Sequence, residues 1–144
     1  MRIRKVGPEE AGLLAQMDQC CFSDNWKKED WSSFLSMSQY DCCIAEEDNM
    51  SRGFLLTSTA ADEGEVLKIG VLPDFRKNNL GILMLNKAFE EWKTAGVRSV
   101  FLEVRESNQP AQGLYKKQGF EKAGIRKNYY KNPAEHAVVY VRKI

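Results

Sequence analysis

Apolar and basic residues alternate over Met1-Arg2-Ile3-Arg4-Lys5-Val6, which predicts an edge strand with one wet face. Gly7-Pro8-Glu9-Glu10 reads as a helix entry, with proline at the first position and acids in the first turn. Leu14, Met17 and Cys21 then fall on one face of a helix ending near Phe22. After the turn Ser23-Asp24-Asn25, a second amphipathic helix is predicted, with Trp31, Phe34, Leu35 and Met37 facing inward. Tyr40 to Glu46 reads as a strand, Asp48-Asn49 as a hairpin turn and Arg52 to Thr59 as the partner strand. Ala61-Asp62-Glu63-Gly64 turns the chain into a mostly apolar run, Glu65 to Leu72, which Pro73-Asp74 ends.

The pattern then changes period. Leu80, Leu83, Met84, Ala88 and Trp92 lie at helical spacing, and Ile82, Leu85 and Phe89 form a second stripe. A helix apolar on two sides is expected between layers. Gly96 stops it, and Ser99 to Arg105 is the next strand. Strand, helix, strand in that order is a βαβ unit with parallel strands and a right-handed crossover. Asn108-Gln109-Pro110 opens a further helix with a capping asparagine and an early proline; cations and Gly119 close it. A strand to about Lys127, a polar and aromatic loop from Asn128 to Glu135, and a last strand from Ala137 to Arg142 complete the chain. Order and count suit an α+β domain with a mixed sheet and helices on both faces.

A chain of 144 residues is enough for one domain with a real core, residues 1–144, and too short for two ordinary ones. The net charge of +1 gives no broad electrostatic footprint for nucleic acid, so direct nucleic-acid binding is not expected. No apolar run reaches membrane-spanning length and no signal peptide opens the chain, so the expected setting is cytoplasmic. The four cysteines form two vicinal pairs, Cys20-Cys21 and Cys42-Cys43. With one histidine, His136, they do not have metal-ligand spacing; no metal is expected and reduced thiols are.

The chemistry concentrates between Ile69 and Tyr115. Backbone N–H groups at the start of the helix after Arg76-Lys77-Asn78-Asn79-Leu80-Gly81-Ile82 have no partners within the helix and sit at its positive end. They form a candidate pyrophosphate cradle, with Arg76 and Lys77 adding charge and Gly81 permitting close approach. On this stretch alone, an ordinary solvated helix start is the simpler reading. Glu103 interrupts an otherwise apolar strand near its end, where open α/β sheets place their sites. From spacing alone it reads as an acid paired with Arg105 or Arg76, or solvated.

Taken together, Arg76, Leu80 and Gly81, then Leu102-Glu103-Val104-Arg105-Glu106-Ser107-Asn108, Leu114-Tyr115, Gly119-Phe120 and Ile125-Arg126-Lys127-Asn128-Tyr129-Tyr130 resemble the GNAT acetyltransferase superfamily. Within it they are similar to the RimI-type alanine N-acetyltransferases. The resemblance covers nearly the whole chain and is densest from Ile69 to Tyr130. Two departures stand out: Asn79 takes the place of the first loop glycine, and Glu135-His136-Ala137 stands where Glu-Asp-Ala is usual. Asparagine tolerates a left-handed backbone, so the loop can survive the change.

The resemblance implies a mixed, mostly antiparallel sheet whose parallel βαβ unit binds acetyl-CoA, and transfer of acetyl to a protein N-terminal amine. The acceptor it implies is the N-terminal alanine of a small-subunit ribosomal protein, attacked directly in a ternary complex. Neutralising an α-amine of pKa near ~7.8 at pH 7.4 costs about 0.5 kcal/mol, against about 4 for a lysine at ~10.4, so a modest base suffices. Glu103 is implied as that base and Tyr115 as the acid for the departing thiolate. Asn108, beyond capping its helix, is implied to contact the pantetheine arm. Ile69, Gly70 and Val71 would offer backbone hydrogen bonds to the same arm, since a splayed strand leaves amides unpaired. Gly70 also suits a bulge or a close approach.

Trp26, Tyr40, Tyr129 and Tyr130 are candidates for the acceptor groove, though each singly reads as a packing residue. Arg126, Lys127 and Lys131 read as a solvated basic face, Trp31 and Trp92 as core. No cysteine falls in the Ile69–Tyr115 unit, which argues against an acetyl-cysteine intermediate. A monomer or weak dimer is expected. The competing readings are a GNAT enzyme for a small amine or a lysine side chain, and a non-catalytic acyl-CoA-binding module.

Overall fold

A computed structural model describes residues 1–76 and 79–144. The sequence-predicted cradle residues Lys77 and Asn78 lie outside the described residues. Strand β1 (Arg2–Val6) is followed by a short 3-10 turn and helix α1 (Ala11–Cys21), then α2 (Lys28–Leu35). Strands β2 (Tyr40–Glu47), β3 (Met50–Ala60) and β4 (Glu63–Val71) form a meander. Next come α3 (Leu80–Thr94), β5 (Ser99–Arg105), α4 (Gln109–Lys117), β6 (Glu121–Tyr130) and β7 (Glu135–Lys143). Among the described residues the strands make one sheet in the order β1-β2-β3-β4-β5-β7-β6. Among the described strands, only β4 and β5 run parallel.

Turn chemistry is where it was expected. Asp48 and Asn49 both have positive φ, which gives a two-residue hairpin the twist of its flanking strands. Gly96 (φ 84°) and Gly119 (φ 90°) stand just beyond the ends of α3 and α4, in the backbone region where other residues are strained.

Strand alternation divides the core. Cys42, Ile44, Phe54 and Leu56 point to one face and pack with Ala11, Leu14, Met17 and Trp31 of α1 and α2. Leu55, Val66, Val100, Leu102, Val104, Val138 and Tyr140 point to the other, against Met84, Leu85, Phe89 and Trp92 of α3 and Tyr115 of α4. Trp31 and Trp92 are both core, as expected. The apolar stripe of α3 is one-sided: Leu83 is exposed, because α3 packs one side on the sheet and, among the described residues, turns the other to solvent. Met37 is exposed as well, since α2 ends at Leu35 before its face could reach the core. β6 runs three residues past its expected end, to Tyr130, and β7 starts at Glu135. The expected loop from Asn128 to Glu135 is therefore half strand, with only residues 131–134 left as turn. His136 holds this irregular stretch: its Nδ1 accepts a hydrogen bond from the Asn128 backbone N–H at 2.9 Å.

The feature that makes a site is a parting of β4 from β5. Their pairing runs from Glu63↔Ser99 to Val66↔Leu102 and then stops. At the same place the β3–β4 register slips, Leu56 opposing Lys68 and Thr57 opposing Val66, so Leu67 is the extra residue of a bulge. The bulge lets Leu67 and Lys68 face the same side: Leu67 packs on the α1–α2 cluster and Lys68 reaches Asp18 of α1. Beyond it β4 stays on β3, while β5 stays on β7 through Arg105↔Ala137. Gly70 lies past the bulge, not at it. A Cβ there would stand 2.6 Å from Phe54 Cε1, so the glycine admits Phe54 to the core.

Candidate active site

The gap between the parted strands opens into a cleft of about 740 Å³. Val66 to Val71 form one wall, Glu103 to Arg105 the other. Arg76, Asn79, Gly81 and Ile82 line one end; Asn108, Ala111, Leu114 and Tyr115 line another part. This volume falls within the range of small-ligand sites. Residues beyond Val66 on the β5 side of β4 have no strand to pair with, which leaves main-chain groups for an extended ligand. The Val71 carbonyl is already engaged, accepting from Arg76 Nε at 3.0 Å and from the Cys21 thiol at 3.5 Å.

Asn79 has φ 60° and ψ 22°, a left-handed conformation that asparagine adopts with little strain. It sits just before α3 and its carbonyl accepts from Leu83, so Leu80, Gly81 and Ile82 are the first residues whose N–H groups lack helical partners. Asn79→Gly is expected to leave acetyl-CoA affinity within about two-fold, and Asn79→Val to weaken it by roughly ten-fold, because a β-branched residue resists positive φ. Isothermal titration with coenzyme A checks both; equal affinities for the two variants would show that this backbone turn does not matter to the cradle.

Glu103 and Tyr115 reach the gap from opposite faces of the sheet. On β5, Leu102 and Val104 point into the core beside α4, so Glu103 points the other way. Its side chain is 10 % exposed; Oε1 accepts from Arg126 Nη1 at 2.7 Å, and Oε2 is buried with no hydrogen-bond partner among the described residues. The partner expected from spacing, Arg105 or Arg76, is not the one observed. Arg105 points along the same face but is taken up by other acceptors, and Arg76 is held at Val71. Arg126 is thus not merely part of a solvated basic face. β6 lies two strands away from β5, beyond β7, and its register at Arg126↔Ala137 brings the long side chain back over Glu103. The negative charge of Glu103 is felt nearby: burial first, and then that charge, raise the pKa values of Glu65, Tyr129 and Tyr130 and favour their neutral forms.

Tyr115 is buried on α4, its ring edge-on to Phe120 at 5.7 Å, and it lines the cleft. Burial raises its pKa well above the ordinary phenol value, so its proton stays in place throughout the working range. Asn108 caps α4 through its Oδ1, which accepts from Ala111 N at 3.2 Å, and it also lines the cleft.

Arg105 fastens the rim. Its guanidinium donates to Asp24 after α1 (3.1 Å), Glu135 on β7 (3.2 Å) and the carbonyls of Lys131 and Pro133 in the β6–β7 turn. It also stacks over Tyr130. The second oxygen of Glu135 accepts from the Ser107 backbone N–H, tying the same assembly to the β5–α4 turn. Tyr130 lines the cleft, and Tyr129 lies beneath Arg126. Trp26 and Tyr40 are not among the lining residues. Both belong to the aromatic cluster under α2, Trp26 stacked on Phe34 and Tyr40 edge-on to it.

Sequence reasoning missed four participants: Arg126 as partner of Glu103, Glu65, the Arg105 clamp, and Cys21. The Cys21 thiol reaches the cleft wall from α1, although burial raises its pKa and keeps it a poor nucleophile. A lone basic residue in an apolar strand, Lys68, was the signal for the buried Asp18 beneath it.

Known proteins share this architecture. A family profile described as Acetyltransferase (GNAT) family matches residues 13–120. A Bacillus subtilis (strain 168) protein, named provisionally as a ribosomal protein bS18-alanine N-acetyltransferase, is 32 % identical over 138 residues, 95 % of this chain and 91 % of that protein. The ribosomal protein bS18-alanine N-acetyltransferase of Salmonella typhimurium (strain LT2) is 32 % identical over 121 residues, 84 % of this chain and 81 % of that one. The crystal structure of the ribosomal-protein-S18-alanine N-acetyltransferase from Escherichia coli superposes with a TM-score of 0.92 at 27 % identity, covering 99 % of this chain and 93 % of that one.

Proposed function

This chain belongs to the acetyltransferase (GNAT) family, and from that premise we propose that it acetylates the N-terminal alanine of a small-subunit ribosomal protein, using acetyl-CoA in a ternary complex. The observation that carries the proposal is Glu103, an acid whose side chain is 10 % exposed on the acceptor face of the gap, with Tyr115 approaching from the other face. The names of the relatives support the acceptor class. The acceptor face supports it as well. α1 and α2 cover β2, β3 and β4 on that side, while β6 is exposed along most of its length, leaving an open bed for an extended chain.

The parted β4–β5 edge, the left-handed Asn79 and the bare N–H groups at the start of α3 fit the arm and the pyrophosphate of acetyl-CoA, which supplies the activated acetyl group. Glu103 takes a proton from the acceptor's ammonium, leaving nitrogen with the electron pair that forms the new C–N bond. As the C–S bond breaks, the Tyr115 hydroxyl donates to the departing sulfur. Because burial makes this phenol a weaker acid than the thiol, its main service is a strong hydrogen bond, with the lasting proton drawn from solvent. Over a cycle the acceptor nitrogen gives up two protons, one to Glu103 before attack and one from the tetrahedral intermediate; the departing thiolate takes up one proton, so one is released to solvent. The raised pKa of Cys21 favours this direct route over an acetyl-cysteine.

The test is a panel of acceptors with acetyl-CoA, read by mass spectrometry: a free N-terminal alanine peptide, the same peptide blocked and carrying lysine, and small polyamines. Acetylation confined to the free-alanine peptide is expected; transfer to the blocked peptide or the polyamines would reject the N-terminal reading. Tyr115→Phe is expected to lower kcat on the alanine peptide by about 10²-fold while leaving the KM for acetyl-CoA unchanged. An unaltered kcat would remove Tyr115 from the mechanism.

A further inference from the structure

Asp18 and Glu103 are both buried carboxylates with a cationic partner, and they differ in a way that bears on function. Asp18 is 0 % exposed, and its Lys68 partner is 11 % exposed. Its two oxygens accept from Lys68 Nζ, the Trp26 backbone N–H and Trp31 Nε1. Every element of that pair is fixed by packing. Glu103 is 10 % exposed, but its partner Arg126 is 57 % exposed, on a strand open to solvent along its length. Only one Glu103 oxygen is bonded, while the other is buried and unpartnered. The contact of Arg126 beyond this one is an aromatic face, its Cζ 4.6 Å above the Tyr129 ring.

A withdrawn carboxylate requires a cation close by, whereas an exposed guanidinium on a long stem loses little by returning to water. The pair is therefore built for exchange from one side. We propose that Arg126 is an exchangeable counter-ion of Glu103 and the specificity-determining residue of the acceptor side, holding the place that the acceptor's ammonium takes over. This deepens the N-terminal acetyltransferase reading and rests on it. When the guanidinium swings out, what remains is the Glu103 carboxylate beside the uncovered face of Tyr129, with Tyr130 at the rim. A carboxylate with an aromatic face is a seat for a cationic head group. It takes a primary ammonium at the end of a slim chain, and a neutral acceptor has nothing with which to displace Arg126.

The experiment compares wild type, Arg126→Ala and Arg126→Lys, with guanidinium chloride at low millimolar concentration as probe and sodium chloride as ionic-strength control. Guanidinium stays protonated, so it occupies the seat without being acetylated. Two readouts are taken. In Arg126→Ala the carboxyl ¹³C signal of Glu103 should shift and saturate with guanidinium, while in wild type and Arg126→Lys it should not move over the same range. With an alanine peptide as acceptor, kcat/KM should rise by about two- to five-fold in Arg126→Ala, the modest gain expected from removing a half-exposed competitor. Guanidinium should then inhibit competitively against the peptide. Arg126→Lys should behave as wild type. A Glu103 signal indifferent to guanidinium in Arg126→Ala overturns the proposal whether or not the protein has turnover, and so does a kcat/KM that falls with a rising peptide KM, which would make Arg126 a grip on the acceptor. Loss of acetylation of any N-terminal amine by wild type would instead reject the functional reading, and the carboxyl signal would still judge the exchange.

Discussion

Glu103→Gln is expected to lower kcat/KM on an alanine peptide by about 10²- to 10⁴-fold near neutral pH while leaving coenzyme A affinity unchanged, the range that follows loss of a positioned base. Glutamine keeps the shape of the side chain and can still meet Arg126, so the change removes proton affinity rather than packing. The loss should depend on pH. An α-amine of pKa near ~7.8 sheds its own proton as pH rises through that value, and the variant then gains a neutral nucleophile without help. The ratio of wild-type to variant rates is therefore expected to shrink between about pH 7 and pH 9. Steady-state rates over that span, with thermal unfolding to verify the fold, measure the effect. A ratio that stays constant with pH would mean that Glu103 positions the acceptor and does not take its proton.

Asp18→Ala should produce the largest loss of stability. It would leave the Lys68 ammonium 11 % exposed with no counter-charge and the Trp26 and Trp31 donors unpaired. Removing one partner of a buried ion pair costs about 3–5 kcal/mol. For a domain of this size that corresponds to a fall in Tm of roughly ten degrees or more. Urea denaturation monitored by tryptophan fluorescence measures it, since Trp31 lies in the affected cluster. A loss below about 1 kcal/mol would show that solvent reaches Lys68 as readily as if it were on the surface. The double variant Asp18→Leu, Lys68→Met should recover much of the loss, because no charge is then left buried. Activity is expected to fall with the single variant too: Lys68 lines the cleft and stacks over Trp26, so the β4 wall shifts with it.

Glu103 shows how far a site is legible in a chain of letters. An acid in an apolar strand followed by Asn108-Gln109-Pro110 marked a strand end that borders the cleft, and the role proposed for it comes from the family resemblance. The identity of its partner was out of reach, because Arg126 is 23 residues away and arrives from a strand that is not a neighbour of β5. Trp26 and Tyr40 went the other way. Aromatic residues near a predicted groove looked like its lining, yet they stack under α2, and composition alone does not distinguish an aromatic wall from an aromatic core. Asn79 was readable because the property that mattered, tolerance of positive φ, belongs to the residue itself.

What the sequence determined by itself is what local chemistry controls. Periods of two and of three and a half, asparagine caps, and glycines after helices placed β5, α3 and α4 to within a residue or two, since each depends on neighbours a few positions away. The tertiary structure alone decided the order β5-β7-β6, the bulge at Leu67 and the parting of β4 from β5. It also decided which cation each buried carboxylate meets: Lys68 for Asp18, 50 residues away, and Arg126 for Glu103. The physical reason is that a strand's pattern states which face it buries but not which strand it lies beside. Pairing is settled by the competition of all strands for partners and by the closure of the core, and the cleft exists only where that pairing ends.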